Sequence, residues 1–122
     1  MSLNLSVPIL VVDDHPTMVS IVSDVLRQIG FENIDGVRNG SAALKKLNCK
    51  DYGLVISDEK MSPMSGGDLL REIRANPRLA ATPFVMLTAS ANEGAADKPC
   101  ATIVRPFNAQ MLHRQLRAVL NG

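Results

Sequence analysis

The chain has 122 residues, of which 46% are hydrophobic and only 3% aromatic, with 13 basic and 12 acidic side chains. Length and apolar content suit one globular domain and exclude a disordered chain, while the scarcity of aromatics argues against single-stranded nucleic-acid binding, which needs rings for base stacking. A net charge of +1 with no Lys/Arg block offers neither a DNA nor a membrane surface.

"PILVVDD" (8–14) is a continuous apolar run closed by acids, as expected of a strand buried on both faces. "HPTMVSIVSDVLRQIG" follows with apolar residues three and four apart: Met18, Val22, Val25, Leu26 and Ile29. Pro16 suits the first helical position and Gly30 the position just past the end. "NIDGV" (33–37) is a weaker strand, and "NGSAALKKL" (39–47) a short helix that Asn39 can cap. "GLVIS" (53–57) is a second strongly buried strand. After the loop "DEKMSPMSG", Ser65 with Asp68 three residues on predicts a capped start for "GGDLLREIRAN". "TPFVMLT" (82–88) is the fourth strand, and "ATIV" (101–104) the fifth, a run expected to pack inside the sheet. Asn108 then caps "AQMLHRQLRAVL", whose stripe of Met111, Leu112, Gln115, Leu116 and Val119 is mostly apolar.

Strands alternating with helices imply an α/β fold with a parallel sheet covered on both faces. Residues 89–100, "ASANEGAADKPC", break the alternation. Two connecting loops of ~2–6 residues each leave room there for one or two helical turns, and Gly94 and Pro99 interrupt even those. A shortened or irregular fourth helix is expected. The N-terminus lacks a basic n-region, and no apolar run approaches the ~20 residues that span a bilayer. Cys49 and Cys100 have no metal-ligand spacing, so free thiols in a cytoplasmic setting are expected.

In a parallel sheet, residues just after the strands gather along one edge, where open sheets of this class bind ligands. That edge would hold Asp13 and Asp14 after the first strand, Asp58 after the third, Thr88 after the fourth and Arg105 after the fifth. Carboxylates so close oppose each other's ionisation, and a hard divalent cation resolves the conflict, Mg²⁺ taking one or two carboxylates plus waters and phosphate oxygens. Asp58 could then attack a phosphoryl donor and carry an aspartyl-phosphate. The Thr88 hydroxyl and the backbone N–H that follows it (Ala89) could hold one phosphoryl oxygen, and Arg105 another. Each residue also has a blander reading. An acid after a strand is often a turn former or cap, His15 is foremost a helix-start residue, and Pro106, a candidate cis proline, is first a turn residue. The agreement of four strand tips is what carries chemical meaning.

On "ILVVDD" (9–14), "LVISDEKMSPMSG" (54–66), "FVMLTA" (84–89) and "IVRPFN" (103–108), the chain resembles the receiver domain of two-component response regulators, of the CheY-like kind. The resemblance runs from about Val7 to Leu120, within a single domain filling 1–122. It implies a flavodoxin-like, doubly wound, five-stranded parallel sheet of order 2-1-3-4-5. By resemblance, Asp58 is the phosphoacceptor, and Asp13, Asp14, Asp58 and the Lys60 backbone carbonyl hold Mg²⁺ or Mn²⁺. Thr88 is the switch hydroxyl. A sensor histidine kinase or histidine phosphotransfer protein would donate the phosphoryl group, and a downstream protein would read the result, with no nucleic-acid or membrane partner for this domain. The only chemistry implied is self-catalysed phosphorylation and dephosphorylation.

Three departures stand out. Arg105 replaces a near-invariant lysine, and a planar guanidinium is wider than an ammonium. Thr102 replaces the usual switch aromatic, and 89–100 is short, so switching would rely on ordering of that segment. A milder change places Ser62 before Pro63 where a proline usually follows the methionine. Lys60 is either a solvated loop residue or a cation at the pocket mouth. Two other classes compete: a receiver-like protein-interaction module that signals without phosphate, and a metal-dependent phosphatase. The complete acid set opposes the first, and the lack of a cap insertion or Gly-rich phosphate loop opposes the second.

Overall fold

The computed structural model describes residues 4–88, 101–104 and 107–121. In chain order the elements are β1 (Ile9–Val12), α1 (Pro16–Ile29), β2 (Ile34–Val37), α2 (Gly40–Cys49), β3 (Leu54–Asp58), α3 (Gly66–Ala75), β4 (Phe84–Thr88), β5 (Ala101–Val104) and α4 (Ala109–Asn121). The five strands form one sheet in the order β2-β1-β3-β4-β5, with every neighbouring pair parallel. This is the expected doubly wound, flavodoxin-like topology. The chain moves outward from β1 to β2 and then returns to the other side of β1, so the strand order reverses between β1 and β3 and opens a crevice at their carboxyl ends.

Period-two alternation divides the apolar residues between two cores. Leu10, Val55 and Phe84 face α2 and α3, where Leu47, Leu69 and Ile73 are buried against them. Ile9, Ile56 and Val85 face α1 and α4, where Leu26, Leu112 and Leu116 pack. Strands β1, β3 and β4 are buried along their whole length, which explains why they read as continuous apolar runs.

The helix boundaries follow from local chemistry. Pro16 opens α1, and Gly30 closes it at φ +121°, a left-handed conformation that a side chain would strain. The Asn39 side chain accepts from the Ala42 N–H at 2.7 Å and caps α2. Ser65 and Asp68 form a reciprocal capping box at the start of α3. The Asn108 Oδ1 accepts from the Met111 N–H at 2.8 Å and caps α4. At the amino-terminal end of the sheet, Arg74 donates to the carbonyls of Ala80 (3.0 Å) and Thr82 (2.7 Å), closing the turn into β4.

The fifth strand departs from expectation. As an edge strand it packs on one side, with Ile103 at 3% exposure but Val104 at 40%, so its apolar composition overstates its burial. Thr102, the position of the missing aromatic, lies exposed on the same strand. The expected shortened fourth helix (89–100), the Ala89 backbone, Arg105 and Pro106 all lie outside the described residues. Among the described residues, the cis peptide bond is Ser62–Pro63. No described helix is long and apolar enough to cross a membrane.

Candidate functional site

The carboxyl ends of β1, β3 and β4 assemble the site. The Asp13 N–H donates to the Val37 carbonyl (3.1 Å) and carries the β1–β2 ladder one residue past the strand. Asp13 is therefore 1% exposed, with Asp14 starting the connection to α1. Asp58 is the last residue of β3, not the first of the loop, and is 3% exposed. Thr88 ends β4 at 2% exposure. Sites on strand ends are held more rigidly than sites on loops.

One ligand atom from each of Asp13, Asp14, His15 and Asp58 lies within 4.8 Å of every other. The three carboxylates converge as the strand-tip argument anticipated, and a histidine joins them. His15 occupies the N-cap position of α1, yet its side chain caps no N–H. Its Nδ1 instead lies 2.9 Å from Asp14 Oδ1 and 3.2 Å from Asp13 Oδ1. Asp13 also behaves as a turn former, its Oδ1 accepting from the His15 N–H at 2.9 Å. The structural and chemical readings of that acid thus coexist.

The donor set suits a hard divalent cation. Three carboxylates supply oxygens, the ligand type Mg²⁺ prefers. Asp14 Oδ1 is shielded from water and accepts no hydrogen bond, although the Asp14 side chain as a whole is 32% exposed. The His15 ring nitrogen lies 2.9 Å from this oxygen, and a cation would add the charge that a carboxylate oxygen shielded from water needs. Lys60, whose carbonyl the resemblance adds to this set, is exposed in the loop after β3.

That loop is held close to the strands. Met61 is buried in the α2–α3 core, and the Gly66 N–H donates to the Glu59 carbonyl at 2.9 Å. A Cβ at Gly66 would stand 2.3 Å from the Asp58 carbonyl oxygen and 3.0 Å from Glu59 Cα. Only glycine lets the start of α3 approach the acceptor strand so closely.

Glu59 was not among the residues singled out by sequence. Its N–H donates to the Leu87 carbonyl at 2.9 Å, and its carboxylate accepts the Thr88 hydroxyl at 2.8 Å. The pairing depends on the register of β3 against β4, where Asp58 lies opposite Leu87. Sequence patterning carries no register, so the contact had no signal beyond the position of Glu59 next to Asp58.

The model of the response regulator receiver domain matches residues 9–116. The chain is 40% identical over 119 residues to chemotaxis protein CheY-3 of Vibrio cholerae, covering 93% of this chain and 92% of that protein. It is also similar to the structure of the response regulator protein TrrA of Thermotoga maritima in complex with Mg²⁺ and a beryllofluoride group. That match has a TM-score of 0.82 and 31% identity, covering 93% of this chain and 98% of that one. The receiver domain of a sensor histidine kinase of Pseudomonas aeruginosa, solved with a magnesium ion in its active-site cleft, superposes with a TM-score of 0.86. It is 25% identical and covers 96% of this chain and 99% of that one.

Proposed function

The chain belongs to the response regulator receiver family, a signalling protein of two-component systems, and on that premise we propose that Asp58 is its phosphoacceptor and that Asp13, Asp14 and Asp58 hold Mg²⁺ or Mn²⁺. The observation that carries this reading is the burial of Asp58 at a rigid strand end, within ligand distance of Asp13 and Asp14, with Thr88 ending the neighbouring strand. Receiver domains relay signals from histidine kinases to downstream targets. For this chain the donor is a phosphohistidine on a sensor kinase or phosphotransfer protein in the cytoplasm, and the reader is a protein.

The residues divide the work as follows. An Asp58 carboxylate oxygen attacks the phosphorus in line with the leaving nitrogen. A P–O bond forms, the P–N bond breaks, and the departing imidazole takes its proton from solvent. Asp13, Asp14 and Asp58 would hold the divalent ion, with the Lys60 carbonyl completing the protein ligands. A bound Mg²⁺ would supply charge neutralisation for the phosphoryl oxygens. Thr88 would offer its O–H once it turns to the phosphoryl group, and the Ala89 N–H and Arg105 would supply further donors for the developing charge. Water attack on phosphorus later returns the Asp58 carboxylate and releases phosphate.

Intact-mass measurement after incubation with acetyl phosphate and Mg²⁺ tests this reading. The expected result is the gain of one phosphoryl group, absent from Asp58→Asn and from wild type in a chelator. An unchanged wild-type mass, with acetyl phosphate and with a histidine kinase alike, overturns it.

A further inference from the structure

We propose that Glu59 is a positioning residue: its carboxylate holds the Thr88 hydroxyl away from the phosphoryl site, so that phosphoryl binding at Asp58 must break this contact. The inference rests on the phosphoacceptor reading above. A threonine hydroxyl has a single proton to donate, and in this structure it goes to Glu59 Oε1 at 2.8 Å. The same proton cannot also serve a phosphoryl oxygen. A hydrogen bond to an ionised acceptor is stronger than one to a neutral group, and at a site where Thr88 is 2% exposed water does little to weaken it.

Backbone geometry keeps Glu59 in place. Its N–H is bonded to the Leu87 carbonyl and its own carbonyl to the Gly66 N–H, both at 2.9 Å. With Asp58 opposite Leu87, the next residues along the two strands, Glu59 and Thr88, stand abreast and project to the same face. Release must therefore come from side-chain rotation. The half-buried Glu59 side chain has solvent to turn into, whereas the Thr88 main chain is tied into the sheet between β3 and β5. Charge favours this direction of motion. A phosphoryl group on Asp58 brings negative charge beside a carboxylate one residue away, and like charges repel. The acid that holds Thr88 in the unmodified protein is thus displaced by the modification, which frees the hydroxyl for the incoming oxygen.

Glu59→Ala removes both charge and acceptor, while Glu59→Gln keeps an acceptor oxygen of the same reach without charge. The first measurement needs no ligand: the Thr88 methyl carbon shift and its three-bond couplings report the side-chain rotamer. They should change in Glu59→Ala and stay near wild type in Glu59→Gln. The second is titration with beryllofluoride in saturating Mg²⁺, followed by amide shifts. Glu59→Ala should bind at least fivefold tighter than wild type, with Glu59→Gln in between. Wild-type binding with equal affinity in Glu59→Ala, or an unmoved Thr88 methyl in that variant, overturns the positioning role alone. Failure of all three proteins to bind beryllofluoride overturns the phosphoacceptor reading and the role of Glu59 with it.

Discussion

Two sets of acids in this small protein stand in opposite surroundings. Asp35 on β2 faces donors: the Tyr52 hydroxyl at 2.6 Å and the Lys50 ammonium at 3.1 Å. The Tyr52 hydrogen bond, with Lys50 beside it, holds the Asp35 carboxyl below its ordinary range, while burial and Asp35 push the Tyr52 phenol up. Asp68 is likewise held low by the N–H and hydroxyl of Ser65 in the α3 capping box. At the carboxyl ends of β1 and β3 the acids face one another, with the His15 ring beside Asp13 and Asp14. Acids that hold the fold together are met by donors. The acids of the proposed site are gathered with one another where the strand order reverses.

The contrast predicts effects of opposite kind. The largest concerns the structural set. Asp35→Ala leaves the buried Tyr52 hydroxyl without its acceptor and should cost about 2 kcal/mol, read from urea unfolding, with Mg²⁺ affinity unchanged. A loss below a few tenths of a kcal/mol would show that solvent, which reaches a third of the Asp35 side chain, replaces the bond. The next concerns the site. Asp13→Asn should weaken Mg²⁺ binding at least tenfold, about 1.4 kcal/mol, and abolish the stabilisation that Mg²⁺ confers on wild type by binding the folded state. Isothermal calorimetry reads the first and thermal unfolding with and without Mg²⁺ the second.

Smaller effects sharpen the comparison. Ser65→Ala removes the acceptor for the Asp68 N–H and should cost about 1 kcal/mol without changing Mg²⁺ affinity. The smallest is the response to acid. Asp35 and Asp68 have folded-state values below the ordinary 3.8, so their contribution is fully present above that value. It declines as pH falls through the lower folded-state values. Urea midpoints should therefore show no loss from these groups between pH 5 and 7 and a loss below about pH 4, smaller in Ser65→Ala. An equal acid response in that variant would remove Asp68 from the account.

What was legible in the sequence is what local chemistry and strand periodicity carry. Asn39, Ser65 and Asn108 announced their caps because short polar side chains at helix starts have few other uses. Fully buried strands such as Phe84–Thr88 were visible as apolar runs, and their alternation with helices implied that Asp13, Asp14 and Asp58 would meet. Relations between strands were not legible. The apolar residues of β5 concealed an edge strand because composition does not say which strand lies outermost. Glu59 carried no signal until register placed it beside Thr88, and His15, a helix-start residue as expected, also sets its ring against Asp13 and Asp14.

The most direct test of the proposed phosphoacceptor is chemical trapping at the residue itself. Treating the protein with acetyl phosphate and Mg²⁺, then with borohydride, reduces an acyl phosphate to an alcohol and converts the modified aspartate to homoserine. Peptide mass mapping should find homoserine at position 58 and aspartate at 13 and 14. Homoserine at Asp13 or Asp14 with an intact Asp58, or none anywhere, would contradict the account.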